Sequence, residues 1–163
     1  MYTRNLLWLV SLVSAAPLYA ADVPANTPLA PQQVFRYNNH SDPGTLDPQK
    51  VEENTAAQIV LDLFEGLVWM DGEGQVQPAQ AECWEILDGG KRYIFHLRSG
   101  LQWSDGQPLT AEDFVLGWQR AVDPKTASPF AGYLAQAHIN NAAAIVAGKA
   151  DVTSMGVKAM DDR

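Results

Sequence analysis

Apolar and polar positions along the chain change period several times, and each change predicts an element. Residues 6–13 form an apolar run, behind the single charge of Arg4 and ahead of small residues, Pro17 and the Ala20-Ala21 pair. Charged, apolar and small regions in that order predict a secretory signal peptide over residues 1–20, cleaved after Ala20 or one residue later. A core helix is the alternative. Residues 21–33, rich in Pro, Ala and Thr, predict irregular chain. Val34, Phe35 and Tyr37 then predict a short strand over 34–38, because bulky and β-branched side chains suit a pleated surface. Asp42-Pro43-Gly44 and Asp47-Pro48 predict turns.

Ile59, Val60, Leu63, Phe64 and Leu67 share one face at helical period. They predict a helix capped by Asn54 or Thr55 and ended near Gly66. The period then shortens. Residues 67–70 and 75–77 flank Asp71-Gly72-Glu73-Gly74, and residues 83–87 and 92–98 flank Asp88-Gly89-Gly90-Lys91. Two hairpins follow, expected to join in one antiparallel sheet of about four strands. Tyr93, Phe95 and Leu97 fall on one face, and Ile94 and His96 on the other. The aromatic face needs a cover. Thr110 with Asp113 predicts a capping-box start, and Phe114, Val115, Trp118, Ala121 and Val122 recur at helical spacing until Asp123-Pro124. This helix is the expected cover, with Trp118 as its anchor. Two more helices are predicted over 130–137 and 141–147, the second ended by Gly148.

Composition narrows the function classes. The 163 residues are 47% hydrophobic and 18% charged, inside the range of folded proteins. A net charge of −8 argues against a nucleic-acid partner, whose binding rests on Lys and Arg. No stretch approaches the length of a membrane-spanning helix. Cys83 is the one cysteine, and His40, His96 and His138 have no metal-ligand spacing, so neither a disulfide framework nor a zinc module is expected. Phosphate loop, serine-nucleophile elbow and zinc-protease helix are all missing from the sequence, and no cofactor is implied. Glu52, Glu82 beside Trp84 and Asp105 beside Trp103 are carboxylates near aromatics, the pattern of a sugar-cleaving site. Asp105 in a turn and Glu82 at a strand start have simpler structural roles, and an enzyme is not expected.

An ordered set of segments carries a family resemblance. Leu46-Asp47-Pro48, Asp62-Leu63-Phe64-Glu65-Gly66-Leu67, Phe95-His96-Leu97-Arg98, Trp103-Ser104-Asp105-Gly106, Thr110-Ala111-Glu112-Asp113-Phe114-Val115, Trp118-Gln119-Arg120 and Val122-Asp123-Pro124 stand in this order. Thr126-Ala127-Ser128-Pro129 and Gly156-Val157-Lys158-Ala159 continue it. Together they resemble the amino-terminal part of periplasmic oligopeptide-binding proteins of ABC importers, solute-binding family 5, of oligopeptide- or murein-peptide-binding type. The resemblance covers essentially the whole chain after residue 20.

It implies an α+β chain that is part of a two-lobed periplasmic-binding-protein-like fold. Residues 21–64 would be the opening segment of lobe I, and residues 65–163 a nearly complete small antiparallel-sheet-and-helix subdomain. The implied ligands are oligopeptides or murein peptides, and the implied partner is an inner-membrane ABC permease. Glu52, Glu53 and Asn54 match the segment that lines the peptide site, and Phe130 matches an aromatic on its rim. The sequence departs there: Glu53 replaces a common Gly, Asn54 a common apolar residue, and Phe130 lacks the hydroxyl of the usual Tyr. Relatives of this kind are much longer, so a truncated receptor without tight binding of its own is the expectation. A small secreted interaction module and a cell-wall hydrolase are the alternatives.

Overall fold

A computed structural model describes residues 27–28, 31–32 and 34–162. The expected signal segment and most of residues 21–33 lie outside them. Two compact units divide the chain, residues 1–37 and 38–163. In the first, the rings of Phe35 and Tyr37 stack with centroids 5.9 Å apart, and both are exposed. The strand expected over 34–38 does not form. Among the described residues no other segment pairs with it, and extended backbone without a ladder is not a strand.

In the second unit, helix α1 spans Asn54–Leu63. Its cap is Glu53, one residue before the expected Asn54 or Thr55, and it ends before Gly66, where Phe64 turns extended. Strands β1 (Val68–Met70) and β2 (Val76–Pro78) form the first hairpin, and β3 (Ala81–Leu87) and β4 (Arg92–Leu97) the second. Both hairpins are antiparallel, as the turn residues predict, but they remain two separate ladders rather than one sheet. The chain between them explains why. Pro78 has no N–H, and the N–H groups of Ala79 and Ala81 both donate to the Leu67 carbonyl while that of Gln80 donates to Gly66. These donors turn back on the entry to β1 and do not extend a ladder. Register shifts between Ala81 and Cys83, leaving Glu82 as a bulge residue.

Helix α2 (Ala111–Val122) starts as predicted, with one Asp113 carboxylate oxygen accepting from both the N–H and the hydroxyl of Thr110 at 2.8 and 3.0 Å. Helices α3 (Ala131–Gln136) and α4 (Ala142–Val146) and a 3-10 turn at Val152–Ser154 follow. α2 packs chiefly on these three, not on the aromatic strand face, where Tyr93 remains exposed. Trp118 accordingly anchors the cluster of Val122, Ala142, Ile145 and Met155. Short connections bring α3 and α4 back onto α2.

Candidate functional site

The Asp47-Pro48 turn is the structural centre of the expected ligand segment. Its backbone closes through Lys50 and Val51, whose N–H groups donate to the Asp47 carbonyl at 2.9 and 3.2 Å. The Asp47 side chain also accepts the Gln49 N–H at 3.1 Å. Arg120, in the last turn of α2, then reaches across. One guanidinium nitrogen donates to Asp47 Oδ1 at 2.9 Å and to Gln49 Oε1 at 2.6 Å, and the other to Asp47 Oδ2 at 2.5 Å. Gln49 completes the bracket by donating from Nε2 to the Gly117 carbonyl at 2.5 Å. A planar fork meeting a carboxylate with two nitrogens is the geometry in which Arg–Asp pairs are strongest. Arg120 hydrogen bonding holds the Asp47 carboxyl down to about 2, outweighing the opposing effect of desolvation, and Asp47 in turn raises Arg120.

Three residues past this bracket the chain presents Glu52, Glu53 and Asn54, all exposed. The Glu53 Oε2 accepts the Gly44 N–H at 3.3 Å, tying the Asp42-Pro43-Gly44 turn to the start of α1. The bracket also borders an open apolar groove of about 400 Å³. Pro48 and Gln49 line it from the turn, and Gly117, Trp118, Phe130 and Tyr133 are among its other lining residues. Phe130 is placed there by Ser128, whose Oγ accepts its N–H at 3.2 Å just before α3 begins.

Of the four residues expected from sequence, the structure thus brings only Phe130 into the groove. Glu52, Glu53 and Asn54 belong to the segment that leaves it. Gln49, Arg120 and Tyr133 carry no local pattern that marks them as site residues. Arg120 reads in sequence as an ordinary basic residue at a helix end, favourable to the dipole. Its partners stand more than 70 residues earlier.

The three carboxylates that suggested hydrolysis do not converge on a common turn or strand. Glu82 sits in the β3 bulge, and Asp105 accepts the Gln107 N–H within its own turn at 3.0 Å. Among the described residues no group of His, Cys, Asp and Glu could hold a metal ion, and no helix is long and apolar enough to cross a membrane.

Comparison with known proteins places this geometry in a family. Residues 75–163 match the family described as bacterial extracellular solute-binding proteins, family 5 middle. Over all 163 residues the chain is 98% identical to the probable deoxycholate-binding periplasmic protein YgiS of Escherichia coli K12, covering 30% of that protein. It is 49% identical over 94% of its length to the periplasmic oligopeptide-binding protein OppA of Salmonella typhimurium, covering 28% of it. Among solved structures, Haemophilus influenzae OppA in complex with the peptide RPPGFSPFR superposes with a TM-score of 0.73 at 45% identity. That match covers 77% of this chain and 24% of the other. The murein tripeptide-binding protein MppA in its unliganded open form matches with a TM-score of 0.70 at 47% identity, over 74% of this chain and 23% of its own. The chain therefore spans under a third of the length of these relatives, and its mixed helices and hairpins are a part of their periplasmic-binding-protein fold. All these relatives are named as binding proteins, not enzymes. By its matched residues and its structural neighbours, the chain belongs to the bacterial extracellular solute-binding proteins of family 5.

Proposed function

We propose that this chain forms one wall of the ligand site of a periplasmic receptor that delivers its solute to an inner-membrane ABC permease. Export through residues 1–20, with cleavage after Ala20, belongs to the same proposal. The ligand class it favours is an amphipathic steroid acid such as deoxycholate. The groove carries this reading: the rings of Trp118, Phe130 and Tyr133 with Pro48 make a surface suited to a fused-ring body. Phe130 has no hydroxyl to offer a peptide backbone. The name of the 98% identical relative points the same way.

Oligopeptides or murein peptides are the second reading, supported by the OppA and MppA relatives. The exposed carboxylate of Glu52, near the start of α1, would suit a peptide amino group. In either case the 163-residue chain is proposed to bind only weakly by itself. Small-molecule sites enclose roughly 70–90% of a ligand's surface, and an open groove offers contact on one side.

Tryptophan fluorescence titration separates the readings, using this chain and the longer E. coli relative in parallel. Deoxycholate below its micellar concentration should saturate the longer protein in the micromolar range and leave this chain unsaturated. Saturation of the longer protein by a tripeptide, with no response to deoxycholate, would favour the second reading. Tight binding of either ligand by this chain would overturn the idea that it supplies one wall only.

A further inference from the structure

We infer that Arg120 is a positioning residue for ligand capture: by gripping Asp47 and Gln49 it sets the groove wall of Pro48 and Gln49, and the segment 52–54 beyond it, against α2. The inference deepens the proposed function and rests on it, because it takes the groove and the segment after the turn as ligand-facing.

Arg120 is not itself among the residues lining the groove, yet every polar tie between the turn and α2 runs through it or through Gln49. The guanidinium makes three hydrogen bonds to side chains 71 and 73 residues away in sequence. Gln49 adds the bond to Gly117, whose own position lines the groove. A Cβ at Gly117 would come within 3.9 Å of Gln49 Nε2, so helix and turn meet at ordinary contact distance there. Beyond the turn, Val51 is buried, and α1 begins three residues after it with Glu53 as its cap. No side-chain hydrogen bond caps that helix. Its first turn is therefore placed by the bracket before it, by the bond of Glu53 to Gly44 and by the Ser41 hydroxyl, which donates to Thr55 Oγ1 at 3.4 Å. Fork geometry matters more than charge. A lysine could reach one acceptor as a point charge but could not hold Asp47 and Gln49 together.

The test combines local hydrogen exchange with ligand affinity. In this chain, Arg120→Lys and Arg120→Gln should each speed exchange of the Lys50, Val51 and Ala57 amides about tenfold or more. The Ile145 amide, in the buried cluster with Val122, should stay within about twofold of wild type. A uniform loss of protection at both places would make Arg120 a general stabiliser and overturn the inference, as would unchanged exchange at Lys50 and Val51. In the longer E. coli relative, the equivalent lysine substitution should weaken deoxycholate binding about tenfold, without rescue of the charge-neutral variant's defect. Full affinity in that lysine variant overturns the positioning role while leaving the functional reading intact. If the unsubstituted relative binds neither deoxycholate nor a tripeptide, the functional reading itself fails and the inference falls with it.

Discussion

Helices α1 and α2 carry similar apolar stripes at helical period, and their stripes end in different surroundings. α2 buries Val115, Ala121 and Val122, and the cluster around Val122 and Ile145 closes over its carboxyl half. α1 buries only Ala56, while Ile59 and Val60 of its stripe are half-buried and Leu63 and Phe64 remain exposed. What separates them is the chain that follows. After α2, short connections return α3, α4 and the 3-10 turn onto the same face. After α1 come two hairpins, each satisfied by its own partner strand. Periodicity thus predicts where a helix forms, and the fate of its apolar face depends on which neighbour comes back to it. A stripe of this size left in water is the more informative of the two, since soluble chains rarely leave contiguous apolar patches without a partner.

Core truncation gives the largest effect and the sharpest test of this contrast. Ile145, 0% exposed at the centre of the cluster, should lose about 2–5 kcal/mol of stability in Ile145→Ala, from lost burial and the cavity left behind. Leu63, 60% exposed on the α1 stripe, should change stability by about 0.5 kcal/mol or less in Leu63→Ala. Urea unfolding of the two variants measures both. A cost above about 2 kcal/mol at Leu63 would mean that the α1 stripe is covered in solution, and the contrast would collapse.

A smaller effect should come from the glycine that closes the helical cluster. An added Cβ at Gly156 would stand 2.5 Å from the Asn140 Cβ and 3.3 Å from its backbone. The Gly156 N–H donates to the Asn140 carbonyl at 2.8 Å, so the two segments cannot separate without losing that bond. Gly156→Ala should therefore cost about 1–3 kcal/mol, as overpacking does in a tight site. Gly132 inside α3 has open space around its missing Cβ, and Gly132→Ala should instead stabilise by up to about 1 kcal/mol through helix propensity. Thermal melts of the pair should move in opposite directions. Equal and opposite failure of that sign would show that the cluster is looser at Asn140 than the geometry indicates.

Much of the element order was legible because it depends on local chemistry. Asp71-Gly72-Glu73-Gly74 and Asp88-Gly89-Gly90-Lys91 specify their hairpins, and Thr110 with Asp113 specifies the start of α2. What could not be read was assembly. Tyr93 and Phe95 predict an aromatic face in need of a cover, but nothing in their spacing says that α2 will turn to α3 and α4 instead. The separation of the two ladders hangs on where three N–H groups near Pro78 find acceptors, and that is a tertiary fact. The same holds at the site. Phe130 was reachable through the family resemblance, whereas the bracket of Asp47, Gln49 and Arg120 joins positions that only the fold brings together. Glu53, expected to face ligand, also accepts the Gly44 N–H, a bond that a sequence cannot reveal.

The smallest effect concerns the tie between the two regions, and acid is the way to release it. Asp47 is held down to about 2 from an ordinary value of 3.8, first by its hydrogen bonds from Arg120 and further by the Gln49 N–H and the charges of Arg120 and Lys50. A carboxylate whose folded value is depressed contributes stability that is complete above about 3.8, and that contribution disappears as the pH falls through about 2. Arg120 is 47% exposed, so solvent screening reduces the contribution to about 1 kcal/mol. Asp71 and Asp151 are also held below the usual range, by the Gln75 N–H and by Thr153 respectively, and add an acid dependence of their own. The useful quantity is therefore the difference between wild type and Asp47→Asn, which cancels those two. Urea midpoints taken from about pH 5 to about pH 2 should show wild type ahead by a constant margin that narrows toward zero at the acid end. High salt should narrow it as well, since the Debye length at 1 M is about 3 Å. Because the bracket lies between the turn and α2, its release should loosen residues 47–57 before the Ile145 cluster. A margin that persists undiminished at about pH 2 would mean that shape rather than charge holds the turn against α2, and the two regions would then be joined by packing alone.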